Sequence, residues 1–285
     1  MKINFLTDSV CDIPDELLRQ YNITVAPIFV NFGGKSFADD GIELKRDEFY
    51  RRLRTLEDYP KTSAMSPELA RTYIDRAYAD CDHLFIITTP KNLSGIYNSM
   101  RLGMSHLPAD NVTLIDSGQL SIGMGWQVLI GAQIAQQTGD VELTKRAIMS
   151  AQQHQHVYCV VGSLDFLHRS GRVSWAMANL GNFLNIKPVV KSFGGEVNPL
   201  MRVRTFNRAL DKLSELAHQN APYDKFAILH ILNEEGFHAL QDRLADILPP
   251  DTIVGTVGPA LGTHVGPGSV GFAAVSKGWK DAIST

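Results

Sequence analysis

An excess of positive charge is missing from this 285-residue sequence: 27 lysines and arginines stand against 30 aspartates and glutamates, a net charge of −3. A protein that tracks a phosphate backbone needs the opposite balance, so no nucleic-acid partner is expected. The basic cluster Lys45, Arg46, Arg51, Arg52 and Arg54 is interleaved with Glu43, Asp47 and Glu48, the pattern of a solvated helix face. Cysteine is scarce as well. Cys11, Cys81 and Cys159 are odd in number, far apart and free of C-x-x-C spacing, which leaves neither a disulfide framework nor a zinc site. The longest apolar run, Ile122–Ala135, contains Gln127 and Gln133 and falls short of the roughly 20 residues that span a bilayer. Met1–Thr7 reads as a strand running into a polar corner and not as a signal peptide, so the cytoplasm is the expected compartment.

Catalytic and cofactor signatures are missing too. Gly34-Lys35-Ser36 resembles the end of a P-loop, but Phe29 fills the upstream glycine position and a hairpin follows, so no ATP site is expected. No serine lies in G-x-S-x-G, and neither H-E-x-x-H nor a G-x-G-x-x-G after the first strand occurs. His154-Gln155-His156 has no evident partners for a metal, so neither a metal nor a cofactor is expected.

What the sequence does hold is concentrated near its end. Gly255–Gly271 carries six glycines and two prolines around a single imidazole, His264. Glycine permits close backbone approach and proline restricts it, so the stretch reads as a shaped loop between strands at Thr252–Val257 and Ser269–Ser276. The plain alternative is a tight connector, which leaves the histidine unexplained.

Upstream, short apolar β-branched runs alternate with helical patterns. Strands are expected at Ile3–Leu6, Val25–Phe32, His83–Thr89 and Val112–Ile115. Asp12 is expected to cap a first helix through Leu17 and Leu18, and Ser66 with Pro67 to open one through Tyr73 and Ala77. Further helices are expected at Arg46–Arg54, Ile122–Gln137 and Val141–Gln153, with an irregular segment at Glu57–Met65. Such alternation predicts a mainly parallel sheet with flanking helices for residues 1–153. Ligands of such sheets sit beyond the carboxyl ends of the strands, where Thr7-Asp8-Ser9, Thr88 to Ser94 and Asp116-Ser117 lie. Residues 154–285 read as a mixed-sheet α+β domain. It has a hairpin at Gly194-Gly195 and helices at Trp175–Leu184, Phe206–Gln219 and Glu235–Leu248. The fold class is therefore two-domain α/β.

The polar groups that recur at the loops are Thr62, Ser63, Ser94 next to Gly95, and Thr263 next to His264. Each hydroxyl singly can be an N-cap. Together they suit an anion or carboxylate, because donors at helix N-termini favour negative charge. A nucleophile reading also stands at this point: a stand-alone serine acyl hydrolase would join Ser94 to His264 and orient the imidazole with Asp8 or Asp116.

Several motifs taken together resemble the DegV family, in register over essentially the whole chain. They are Thr7-Asp8-Ser9 with Asp12 and Pro14, Thr62-Ser63 before Ser66-Pro67, Leu93 to Ser99, Asp116-Ser117, Gly171-Arg172-Val173, Leu184 to Pro188, Arg204-Thr205 and Gly262 to Gly268. The resemblance implies a long-chain fatty acid bound between the two domains, with Thr62, Ser94 and His264 on its carboxylate. It also implies a separate ATP-binding fatty acid kinase subunit to which the acid is presented, with Arg172 and Arg204 facing that partner. On this reading the chain itself is a non-catalytic binding subunit, and ligand exchange allows peripheral contact with a membrane. The sequence departs from the family pattern at Ala64-Met65 and at His230 to Asn233, which bears on the shape of the pocket. The quoted motifs place no cation at the presumed head-group site.

Overall fold

A computed structural model describes residues 1–53, 55–172 and 186–283. The first half runs β1 (Ile3–Asp8), α1 (Asp15–Gln20), β2 (Ile23–Ala26), β3 (Phe29–Phe32), β4 (Lys35–Ala38), α2 (Arg46–Leu53) and β5 (Lys61–Ser63). It continues with α3 (Pro67–Tyr78), β6 (His83–Thr88), α4 (Ile96–Gly103), β7 (Val112–Asp116), α5 (Ile122–Thr138) and α6 (Val141–Gln153). The second half begins with β8 (Gln155–Val160), α7 (Leu164–Ser170), β9 (Lys187–Phe193), β10 (Glu196–Val203) and α8 (Phe206–Asn220). It ends with β11 (Tyr223–His230), α9 (Glu234–Leu244), β12 (Ile253–Thr256), α10 (Pro259–Val265) and β13 (Val270–Ser276). The helix expected at Trp175–Leu184 lies outside the described residues, as do Arg54, Val173, Leu184 and Asn185.

The first sheet is parallel throughout, in the order β2-β1-β6-β7. Its central strand β6 is buried at every position, as its unbroken apolar run requires when helices cover both faces. The second sheet is mixed, in the order β10-β9-β8-β13-β11-β12; β11 and β12 run parallel, and the other neighbours in that order pair antiparallel. A small sheet, β4-β3-β5, stands beside the first.

Helix α5 is buried on every side from Ile122 to Ala132 and lies against both large sheets. Its glycines permit this: a Cβ on Gly125 would come within 2.6 Å of the Cys11 carbonyl oxygen, and one on Gly123 within 2.7 Å of Val157. Trp126 donates Nε1–H to the Ala273 carbonyl at 3.1 Å, fixing the helix on β13. Among the described residues no helix is long and apolar enough to cross a membrane.

Three expectations need correction. Asp12 does not cap α1; it adopts a left-handed backbone, and Pro14 precedes that helix without any side-chain cap. The run Val25–Phe32 is not one strand, because Pro27 lacks the N–H that a continuous ladder needs; β2 joins the first sheet and β3 the small one. The segment Glu57–Met65 is not wholly irregular, since Lys61–Ser63 forms β5 and pairs antiparallel with β3, Thr62 opposite Val30.

The glycine-rich stretch needs a correction of its own. Pro259–Val265 is a helix with proline in its first turn, so His264 sits in a last helical turn and not in a loop. Gly266 then takes φ +78° and ends it.

Candidate functional site

Helix α10 owes its position to the first half of the chain. Its orphan N-terminal amides meet two buried carboxylates: Gly258 N–H donates to Asp12 Oδ1 at 2.7 Å and Ala260 N–H to Asp39 Oδ2 at 3.0 Å. The buried Tyr50 hydroxyl lies 2.7 and 2.8 Å from the carbonyl oxygens of Val257 and Gly258. Arg46 donates to the Thr256 carbonyl at 2.7 Å and stands 3.8 Å from Asp12. At the other end of the helix, Tyr59 donates its hydroxyl proton to the Thr263 carbonyl. Burial pushes Asp39 up to about 7 and raises Asp12 as well, against the pull of Arg46. The sequence reading missed Asp39, Tyr50 and Tyr59 and gave Asp12 and Arg46 other roles, because their partners in α10 lie about two hundred positions away in the chain.

The helix delivers His264 to β5, where its Nε2 lies 2.8 Å from Thr62 Oγ1. Nδ1 is sealed from solvent without a partner among the described residues. Burial, assisted by the Arg172 guanidinium, lowers the imidazole to about 4, so the ring is neutral at pH 7. When Nε2–H donates to Thr62, the threonine keeps its own hydroxyl proton for a ligand. Ser94, in the turn before α4, accepts the Ile96 N–H at 3.3 Å and likewise retains a proton to donate.

These groups stand at one end of a cavity of about 260 Å³ between the first and second sheets. Thr62, Ser63, Ser94, Gly95, His264 and Arg172 all line it. Thr263 does not: it is fully buried, and its hydroxyl donates to the Pro259 carbonyl one turn back. Arg204, exposed after β10, does not line it either. Arg172 corrects the picture of a head-group end without a cation. It is exposed, donates Nη1–H to the Ser170 carbonyl at 3.0 Å, and reaches the cavity wall near His264. Away from this end the walls are mainly apolar, with Val157, Val190, Val197, Leu120 and Phe272 among them. Of the two departures noted in the sequence, Ala64 and His230 both border the cavity, whereas Met65 is buried behind it.

The hydrolase constellation does not assemble. The partner of His264 is Thr62 and not Ser94. Asp8 accepts from Thr89 N–H at 2.6 Å, from the Thr89 hydroxyl at 2.8 Å and from Val10 N–H at 3.1 Å. Asp116 accepts from Gly118 N–H and stands 4.0 Å from Lys91. Among the described residues no carboxylate bonds the ring.

Comparison with known proteins places the family and the fold. A relative in Streptomyces coelicolor, a DegV domain-containing protein, is 30% identical over 281 residues, covering 96% of this chain and 99% of its own. Among solved structures, a fatty-acid-binding DegV family protein from Thermus thermophilus superposes with a TM-score of 0.90 at 27% identity, over 97% of this chain and 100% of that one. A Thermotoga maritima protein whose structure reveals a fatty-acid-binding function gives 0.85 at 25%, over 97% and 99%. The family model described as "Uncharacterised protein, DegV family" matches residues 2–277, and the chain belongs to that family.

Proposed function

We propose that this protein binds a long-chain fatty acid in the cavity between its sheets and presents the carboxylate to a separate ATP-dependent kinase subunit for acyl-phosphate formation. The observation that carries the binding is the cavity itself: apolar walls leading to the hydroxyls of Thr62 and Ser94 and the neutral imidazole of His264. A chain of about 16 carbons buried there gains on the order of 12 kcal/mol, at roughly 0.8 kcal/mol per CH₂, before the entropy costs of binding. Its carboxylate must be hydrogen-bonded once inside, since an unpaired buried charge would cancel much of that gain.

Thr62 and Ser94 donate to the carboxylate in this reading, His264 holds the Thr62 hydroxyl ready for it, and Ser63 and Gly95 complete the wall around it. The kinase half of the proposal rests on the family resemblance and on a sequence without a phosphate-binding loop. The exposed Arg172, at the cavity mouth, is the cation available both to the bound carboxylate and to a docking partner. Arg204 belongs to the same docking face in this reading.

The test is native mass spectrometry of the purified protein before and after delipidation and loading with palmitate. A one-to-one adduct of free fatty acid mass is expected. Absence of any adduct, together with turnover of an activated ester that Ser94→Ala abolishes, would overturn the reading in favour of a hydrolase.

A further inference from the structure

The mainly apolar wall of the cavity carries a polar residue, Ser192, that the binding of a carboxylate does not use. Along β9, alternate residues face the cavity, and Val190 and Ser192 are two of them. Ser192 is only 7% exposed, and its Oγ has no hydrogen-bond partner among the described residues. Thr7, Thr88, Gln119 and Gln127 also hold unpaired buried oxygens, but none of these residues lines the cavity. Among the described residues, Ser192 and His264 are thus the cavity-lining ones with a buried, unpaired polar atom.

The two lie at different depths. Ser192 pairs with Val157, which pairs with Ala273; Val270, nearer α10, pairs with Val160. Three residues of strand separate those rows, about 10 Å at the usual rise. Beyond Ser192 along the chain, the β9–β10 turn donates Gly195 N–H to the Gly118 carbonyl at 2.9 Å. Beside it, Gln119 donates Nε2–H to the Ser192 carbonyl at 3.1 Å.

A plain methylene chain lying over Ser192 leaves its hydroxyl dry and unbonded, and alanine would line the wall without that cost. An oxygen on the ligand removes the cost. We propose, on the basis of the fatty-acid reading above, that the preferred ligand is an oxygenated fatty acid with a hydroxyl part-way along its chain, and that Ser192 recognises that hydroxyl. Ser192 is then a specificity-determining residue, distinct from the groups that hold the carboxylate.

The test is competition binding to delipidated full-length protein, read by native mass spectrometry, between stearate and a hydroxystearate with its hydroxyl at mid-chain. β-Hydroxypalmitate against palmitate serves as the positional control. Wild type should favour the mid-chain hydroxy acid by about tenfold and show no such preference for the β-hydroxy acid. Ser192→Ala should erase the preference and bind stearate more tightly than wild type does. If Ser192→Ala does not fold, Ser192→Cys, similar in size but a weak donor, should lower the preference. A preference for stearate in wild type, or a ratio unchanged by the substitution because a water already satisfies Ser192, overturns the inference while leaving fatty-acid binding intact. Uptake of neither acid overturns the fatty-acid reading and this inference with it.

Discussion

Among the described residues the His264 ring has one hydrogen-bond partner, Thr62 at 2.8 Å, and its surroundings keep it neutral. The ring's one N–H, on Nε2, goes to Thr62 and leaves that hydroxyl proton free for a carboxylate, so His264 acts through Thr62. The Thr62 and Ser94 bonds to the charged group contribute roughly 1.5–3 kcal/mol each. His264→Ala should therefore weaken palmitate binding by about 10- to 150-fold, measured by calorimetric titration, with the fold intact by circular dichroism. Ser94→Ala should do the same, and the double variant should fall short of additivity because both groups serve one ligand. Unchanged affinity in the His264 variant would remove that residue from the site. The ring also makes stability depend on pH. Its folded-state value is about 4 and its ordinary value 6.5, so below 6.5 the unfolded chain takes up a proton that the folded one refuses. The stabilising contribution is complete above pH 6.5 and is lost as pH falls toward 4. It amounts to on the order of 3 kcal/mol. In urea titrations across that window the His264→Gln variant should lose less stability than wild type. Parallel curves would place the imidazole in water.

At the scale of an element, α10 decides whether these residues meet. Gly262 faces Tyr50 across the contact between α10 and α2, and a Cβ there would come 1.9 Å from the Tyr50 hydroxyl oxygen. Tyr50 is 2% exposed and bonded to the start of the helix, so it has nowhere to go. Gly262→Ala should cost about 1–3 kcal/mol in denaturant unfolding and weaken fatty-acid binding with it. Gly255→Ala is the control, since its nearest neighbour is Leu229 at 3.5 Å, and its effect should stay within about 0.5 kcal/mol. Equal losses in the two would mean that Tyr50 does not brace the helix. Asp39, at the opposite end of α10, supplies a second pH signature with the reverse sign. Its carboxyl is raised from 3.8 to about 7, so between those values the folded state binds the extra proton and stability falls as pH rises. The stability of Asp39→Asn relative to wild type should grow from pH 5 to pH 8, a difference from which the His264 contribution cancels. A flat difference would indicate an ionised carboxylate held by the Ala260 N–H throughout. How much of this element was legible in the sequence is instructive. The glycines and His264 marked the place, and Gly258-Pro259 was a helix start that the density of glycine concealed. The carboxylates and Tyr50 that anchor it carried no local signal, because their requirement is set by a partner far along the chain.

At the scale of the whole molecule, the parallel and mixed sheets were readable from the alternation of β-branched runs with helical periodicity. Those patterns report burial along one segment at a time. The small sheet was not readable, since β5 has three residues and none of them is apolar. Nor could any local pattern show that the two halves share a core. The larger cluster of buried side chains joins Phe5, Phe85 and Ile130 to Leu229, Ala273, Val275 and Trp279, crossing from first half to second. Helix α5 lies in that crossing, and Gln127 at its centre donates to Gln155 at 3.1 Å while Gln155 donates to the Gly123 carbonyl at 2.6 Å. Neither half can lose its fold without stranding apolar surface and paired amides of the other. The ligand-free protein should therefore unfold in one calorimetric transition, with calorimetric and van't Hoff enthalpies equal, in spite of its two sheets. A fatty acid lodged between the sheets binds only when both are folded. Palmitate at about 100 times its dissociation constant should then raise the stability of the whole chain by about 2.7 kcal/mol and move the single transition upward intact. Two separate transitions, only one of them moved by palmitate, would show that the halves unfold independently and that one sheet alone carries the binding site.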